Sequence, residues 1–322
     1  MKNPVFQALA EAARRGEPVA LGLISRVQGS SPQKVGAKAL FYADGRMLGT
    51  LGGGCLEAEV TQRARRSLRT GQAAPFDLLL EHDFGWDDGL MCGGKVEGLI
   101  LPNAQNAGQP FWTELAERKS EMSWGVKADY SISPLPAGEL ARSLIHSLAG
   151  YPEGWLYIEN VAPASALWIA GAGHIAQAVA PLALQLDFDV TVFDDRPSLA
   201  NHEFFPREVA VQADAWERLL ALLLPETPAF GLIVTRGHRH DTLVLENWIH
   251  RPFRFLGMIG SARKARTMFD HFTREKLATP EELQRVACPV GVKIRCQSVM
   301  EIAVSIMAQF VDKRAELVMR AA

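Results

Sequence analysis

Hydrophobic and polar positions are arranged differently in the two halves of the chain. After residue 163, apolar runs of strand length at 167–170, 190–193, 209–211, 231–235 and 255–259 alternate with stretches long enough for helices. Strands that read as continuous apolar runs are covered on both faces, and their alternation with helices predicts a parallel, doubly wound sheet. Before 163 the runs are more mixed. One spans 19–27, and those at 39–42 and 47–48 flank Asp44-Gly45, a hairpin signal because glycine supplies the positive φ such turns require. Further strands are expected at 77–80, 95–101, 126–132 and 155–159, with short helices at the N-terminus and at 112–119. Leu56, Val60, Ala64 and Leu68 recur at four-residue spacing, with Glu57 and Glu59 in the first turn, Arg65, Arg66 and Arg69 in the last and Gly71 beyond. That pattern predicts a helix whose charges suit its dipole at both ends. The break at Val161-Ala162-Pro163-Ala164-Ser165 divides the chain into an α+β module over 1–162 and an α/β domain over 163–322.

The α/β half opens on a recognisable turn. The run Leu167-Trp168-Ile169-Ala170 leads directly into Gly171-Ala172-Gly173-His174-Ile175-Ala176, and a helical pattern continues through Val179, Leu182 and Leu186. In this G-x-G-x-x-A form the first glycine makes the tight turn, the second lets a diphosphate approach the backbone, and the small third residue packs helix on strand. Free amides at the helix start favour an anion. The next strand ends at Asp194, 23 residues after Gly171, followed by Asp195 and Arg196. An acid there takes a ribose hydroxyl; Arg196 would instead meet a phosphate. The expectation is a Rossmann-like fold. His174 either donates to an anion or caps the helix.

Composition narrows the classes. The 322 residues carry 34 Lys+Arg against 36 Asp+Glu, a net charge of −2, which leaves no electrostatic footprint for nucleic acid or an acidic membrane surface. No apolar run approaches the roughly 20 residues of a spanning helix, and the N-terminus lacks a signal-peptide layout, so a cytoplasmic protein is expected. Four cysteines without a C-x-x-C pair argue against a zinc knuckle or a thioredoxin-like site. Two of them share a setting: Gly52-Gly53-Gly54-Cys55 and Cys92-Gly93-Gly94. Glycine beside cysteine leaves room for a ligand to reach sulfur, and a helix start at Cys55 favours the thiolate, a soft metal ligand, although Glu57 and Glu59 oppose it. Small apolar residues in a glycine-rich packing interface are the alternative for both thiols. Cys288 and Cys296 read as core or loop residues, and His82 with its neighbouring acids as a solvated acidic loop.

Later loops add candidates. One strand ends at Thr235-Arg236-Gly237-His238-Arg239-His240-Asp241 and the next at Ile259-Gly260-Ser261-Ala262-Arg263-Lys264. Ligands bind outside the carboxyl ends of such strands, so His238 and Asp241 stand where chemistry would occur, and Gly260, Ser261 and Arg263 form a candidate anion cradle. An exposed basic helix face is the alternative for Arg263 and Lys264.

Together these segments resemble the XdhC/CoxI family of xanthine dehydrogenase accessory factors. The matching stretches are Gly29-Ser30-Ser31-Pro32 with Gly36; Gly49-Thr50-Leu51-Gly52-Gly53-Gly54-Cys55-Leu56-Glu57; Met91-Cys92-Gly93-Gly94; Gly171-Ala172-Gly173-His174; Asp194-Asp195-Arg196-Pro197; Ile259-Gly260-Ser261; and Pro289-Val290-Gly291 with Glu301-Ile302-Ala303. Thr235-Arg236-Gly237-His238 departs from the family's compact Thr-His-Asp, and Val292 stands where leucine is common. The resemblance implies a protein that binds molybdenum cofactor (molybdopterin), shields it from oxidation, supports exchange of an oxo for a sulfido ligand, and delivers it to a xanthine dehydrogenase-type molybdenum hydroxylase. A cysteine desulfurase would be a second partner, and the resemblance also implies a homodimer. In that reading Cys55 and Cys92 lie near the molybdenum, and the Rossmann turn with the 260–264 loop holds phosphate or pterin. The rival is an NAD(P)-dependent oxidoreductase in which Gly171, Gly173 and Asp194 bind the dinucleotide and His238 moves a proton. The sequence has no Tyr-x-x-x-Lys pair to support hydride transfer, and that rival leaves the Cys-Gly-Gly loops without a purpose.

Overall fold

A computed structural model describes residues 4–29, 31, 33–79, 94–135, 151–222 and 229–320. The chain divides into two compact units, residues 2–162 and 163–322, the first residue apart.

In the first unit, helix α1 (Pro4–Arg15) precedes β1 (Val19–Gln28), β2 (Lys38–Tyr42) and β3 (Met47–Gly49), and helix α2 (Gly54–Thr70) leads to β4 (Ala74–Leu79) and β5 (Lys95–Pro102). These strands form an antiparallel sheet in the order β3-β2-β1-β5-β4. Central β1 is buried on both faces, which explains why its sequence does not alternate. Val19, Leu21 and Leu23 pack with Phe6 and Leu9 of α1 on one side; Ala20 and Ile24 pack with Leu56, Val60 and Ala64 of α2 on the other. Gly71, at φ 68°, closes α2 with a left-handed cap. Helix α3 (Gln109–Glu117) then precedes a second antiparallel sheet, β7-β6-β8, of β6 (Met122–Lys127), β7 (Ile132–Leu135) and β8 (Trp155–Val161). The sequence reading of one strand over 126–132 is corrected here: the segment is a hairpin. Asp129 Oδ1 accepts the Ser131 amide and hydroxyl, Tyr130 takes φ 66°, and this Asx-type turn reverses the chain.

The second unit holds β9 (Ser165–Ala170), α4 (His174–Gln185), β10 (Phe188–Asp194), β11 (Ala210–Ala213), α5 (Trp216–Ala221), β12 (Ala229–Ile233), α6 (His238–Trp248), β13 (Phe255–Met258), α7 (Ala262–Arg274), α8 (Pro280–Gln284), β14 (Val286–Ala287) and α9 (Val299–Arg320). Its six strands pair in parallel in the order β11-β10-β9-β12-β13-β14. Renumbered within the unit this is 3-2-1-4-5-6, the order of the dinucleotide-binding fold, with the chain reversing direction across the sheet between β9 and β12. Successive β9 side chains feed two cores: Leu167 and Ile169 face one, Ala166, Trp168 and Ala170 the other. Burial on both faces is the physical origin of the short apolar runs in the sequence. Among the described residues, no helix is long and apolar enough to cross a membrane.

Candidate functional site

The glycine turn of the second unit sits at the switch point. Gly171 has φ 114°, and a Cβ built on it would stand 2.4 Å from the Val234 carbonyl oxygen and 3.0 Å from the Thr235 Cα, so only glycine fits between β9 and the end of β12. Its amide donates to the Phe193 carbonyl at 2.7 Å. Gly173, by contrast, faces open space, and it begins α4 with no side-chain cap. The first amides of α4 are therefore available to an anion approaching over Gly173. His174, the first helical residue, is exposed and does not act as the cap.

Asp194 and Arg196, alternatives in the sequence, are partners in the fold. Asp194 is 1% exposed; its Oδ2 accepts the Ala172 amide at 2.7 Å and an Arg196 Nη2 bond at 2.8 Å, and its Oδ1 accepts Arg196 Nε at 2.7 Å. Burial pushes this carboxyl up, but the Arg196 guanidinium and the Ala172 amide outweigh it and hold the pKa below the ordinary carboxylate value. The pair braces the glycine turn from below. Next to it, Asp195 accepts from Arg236 Nη2 at 3.0 Å.

The loops after β12 and β13 place the remaining candidates. His238 is exposed at the start of α6 and Arg263 is exposed on α7. Ser261 caps α7, its hydroxyl accepting the Lys264 amide at 3.2 Å. Gly260 is closely packed: a Cβ there would lie 2.9 Å from Lys264 Cδ and 3.2 Å from Cys288 Sγ, and those side chains would have to shift. For Lys264 the alternative of an exposed basic face does not hold. Its ammonium donates to buried Asp241 at 2.5 Å and to the Ile259 carbonyl at 3.2 Å, while Thr235 donates to the other Asp241 oxygen at 2.7 Å. This ion pair ties the ends of β12 and β13 together beneath the rim. The sequence held both residues but no spacing that paired them, because they meet only through the sheet.

In the first unit, the turn before α2 strings together Gly52, Gly53 and Gly54 at φ 121°, 77° and 59°. Glycine takes these positive φ values without strain, and the turn they form directs its amides at the carboxylate of Glu57. Helix α2 starts without a side-chain cap, and Cys55 stands in its first turn. The organiser of this turn is Glu57, a residue the sequence reading took as a charge at the helix start and not as a hydrogen-bond acceptor for the turn. One carboxylate oxygen accepts the Thr50 hydroxyl at 2.6 Å and the Leu51 amide at 2.8 Å, while Thr50 Oγ1 accepts the Gly52 amide at 3.1 Å. Burial raises the Glu57 carboxyl, but the Thr50 hydroxyl and the Leu51, Gly53 and Gly52 amides prevail and lower it, so the group stays ionised. Cys92, Gly93 and the acidic loop around His82 lie outside the described residues. Among the described residues, no group of three or more His, Cys, Asp and Glu is placed to hold a metal ion.

Two family models match the chain: the XdhC and CoxI family over residues 12–83, which includes the Gly52–Cys55 turn, and the XdhC Rossmann domain over residues 167–310. A Bacillus subtilis protein named as a probable subunit of xanthine dehydrogenase is 25% identical over 317 residues, 92% of this chain and 94% of that protein. The molybdenum cofactor insertion chaperone PaoD of Escherichia coli is 25% identical over 319 residues, 96% of this chain and 88% of PaoD. A crystal structure described as a xanthine dehydrogenase from Bacillus halodurans has the same fold, with a TM-score of 0.79 over 97% of this chain and 96% of that one at 24% identity. The two models together cover well over half of the sequence, in order, and take in both glycine turns: the chain belongs to the XdhC and CoxI family.

Proposed function

We propose that this protein is an accessory factor for molybdenum cofactor. It holds the cofactor as cargo, keeps it from oxidation, supports its sulfuration, and hands it to a xanthine dehydrogenase-type molybdenum hydroxylase. The observation that carries this reading is the alignment, over nearly the whole of both chains, with a relative named a molybdenum cofactor insertion chaperone. The geometry supports it. A pterin cofactor ending in phosphate needs backbone amides free of side-chain competition, and the starts of α2 and α4 both lack side-chain caps. In this reading Gly173 and the first α4 amides take the phosphate, His174 and Arg263 are candidate contacts to it, and Cys55 and Cys92 are candidate sulfur ligands of the cargo. A cysteine desulfurase supplies the sulfur, and a homodimer is the working form.

The rival dinucleotide reading uses the same glycine turn, but it asks Asp194 to turn to a ribose while both of its oxygens are held by Ala172 and Arg196. One experiment separates the two. Purified protein is mixed with released molybdopterin or with NADH, freed of unbound ligand, and assayed for pterin or nicotinamide fluorescence. We expect near-stoichiometric pterin and no retained NADH, with pterin retention reduced about tenfold or more in Cys55→Ala while circular dichroism is unchanged. Retained NADH without pterin would reverse the assignment.

A further inference from the structure

The last helix presents an apolar face to solvent. Of the large hydrophobic residues exposed among the described residues, five fall between 292 and 304 (Val292, Ile294, Val299, Met300 and Val304), while the rest are spread from Val35 to Leu243. Scattered exposed apolar residues are ordinary, but a contiguous group marks a surface that another molecule covers. One side of α9 packs into the core of the second unit through Ala303, Ile306, Met307 and Phe310. On the other side Met300, Val304, Ala308, Val311 and Ala315 follow at steps of four, four, three and four. With about 3.6 residues per turn and a rise of about 1.5 Å per residue, these five form one stripe about 22 Å long. Met300 is 53% exposed and Val304 49%; Ala308 and Ala315 are exposed and Val311 is half-buried.

Two properties of this face say what covers it. The first is a gradient of size, with Met300 and Val304 toward the helix start and Ala308 and Ala315 toward its end. A second copy of the helix, run antiparallel across a two-fold axis, sets Val304 against Ala308 and Met300 against Val311, larger beside smaller in both copies. Run parallel, it would set bulky on bulky at one end and leave a gap between alanines at the other. The second property is charge. Lys313 is paired with Glu316 at 2.6 Å, and Glu301 accepts the Gln297 and Ser298 amides. Exposed Lys293 and Arg295 near the helix start, and exposed Asp312 toward its end, form no ion pair among the described residues. Antiparallel pairing brings the cationic start of each copy toward Asp312 of the other, whereas parallel pairing faces like charges.

We propose that this stripe is the interface with a second copy of the chain, the two α9 helices packing antiparallel with Val304 and Ala308 beside the two-fold axis. Such an isologous contact closes on itself, so each stripe is withdrawn from water by the other and assembly stops at two. The proposal gives a surface to the homodimer of the accessory-factor reading and in that respect rests on it, while the cargo takes no part in the contact.

Sedimentation velocity of the full-length protein over a concentration series measures the association, with pterin retention followed in parallel. We expect a monomer–dimer equilibrium in the wild type. Val304→Lys should raise the dimer dissociation constant at least about tenfold with unchanged circular dichroism, and Leu243→Lys, at an exposed apolar position on α6, should leave it unchanged. Adding Ala308→Glu to Val304→Lys should recover at least about threefold, because antiparallel packing sets the new ammonium of one copy beside the new carboxylate of the other. A wild type that stays monomeric, a dimer indifferent to Val304→Lys, or a double variant as weak as the single one overturns the proposal. A wild type that dimerises through the stripe yet retains no pterin upholds the interface and counts against the cofactor reading.

Discussion

At the scale of single residues, Asp194 is the side chain whose protonation the fold feels most directly. Its pKa is lowered on folding, so the stability it contributes is complete above the unfolded value of about 3.9 and is lost as pH falls through the lower folded value. Asp194→Asn should therefore cost on the order of 2 kcal/mol at pH 7, since Arg196 loses its two-pronged carboxylate partner and keeps only Asp195 at 4.0 Å, and the difference from wild type should shrink steadily below about pH 4. Urea midpoints measured at pH 7 and pH 3.5 check this; an identical gap at both would mean that the carboxylate charge is not what braces the turn. Gly171→Ala is a different kind of test. Its Cβ meets the Val234 carbonyl at 2.4 Å on a backbone already at positive φ, and roughly 2–4 kcal/mol of destabilisation is expected in the same assay. The sequence identified both residues, because the glycine motif and the acid after the second strand are local signals. It did not reveal that Asp194 is engaged by Arg196, since spacing along a chain does not say which acceptor a guanidinium will choose.

At the scale of elements, the start of α2 shows how a helix can organise the turn before it. Glu57 reaches back to Leu51 and Thr50, so the turn of positive-φ glycines is held from its far side. Glu57→Ala should leave α2 intact and loosen the turn, with the Leu51 amide exchanging about tenfold faster in hydrogen-exchange measurements, equivalent to roughly one hydrogen bond. Unchanged protection at Leu51 would show that the glycines keep this shape unaided. The helices and most strands were legible because each carries its own period or its own apolar run. The hairpin between β6 and β7 was not, because Val126, Tyr130 and Ile132 look like a single β-rich run, and the turn depends on an Asp129–Ser131 interaction that composition understates. The pairing of Lys264 was not legible for a related reason: helix periodicity gives its direction from the axis but not the buried Asp241 of another helix.

At the scale of the molecule, the parallel sheet was foreshadowed by alternating strand and helix lengths, whereas its strand order comes from pairings that spacing along the chain does not specify. The two units have separate hydrophobic cores, one around β9 and β12 and the other around β1 and α1. Leu232→Ala, which empties part of the first of these, should cost about 2–5 kcal/mol, and calorimetry should show it as a shift of one transition with the other left in place. A shift of both together would indicate that the units unfold as one.

One consequence follows from the absence of a methyl group at residue 171. Where the winding of the sheet changes direction, the turn that leaves the first strand passes the end of the fourth with room at Gly171 for a hydrogen atom alone, and any larger group there acts as a wedge against that main chain. The mouth of the crevice thus has a width set by main chain, with no side chain to trim or enlarge. Guests of different shape must be accommodated by the loops around it, and changes of specificity are to be sought in those loops, never in the hinge line of the sheet itself.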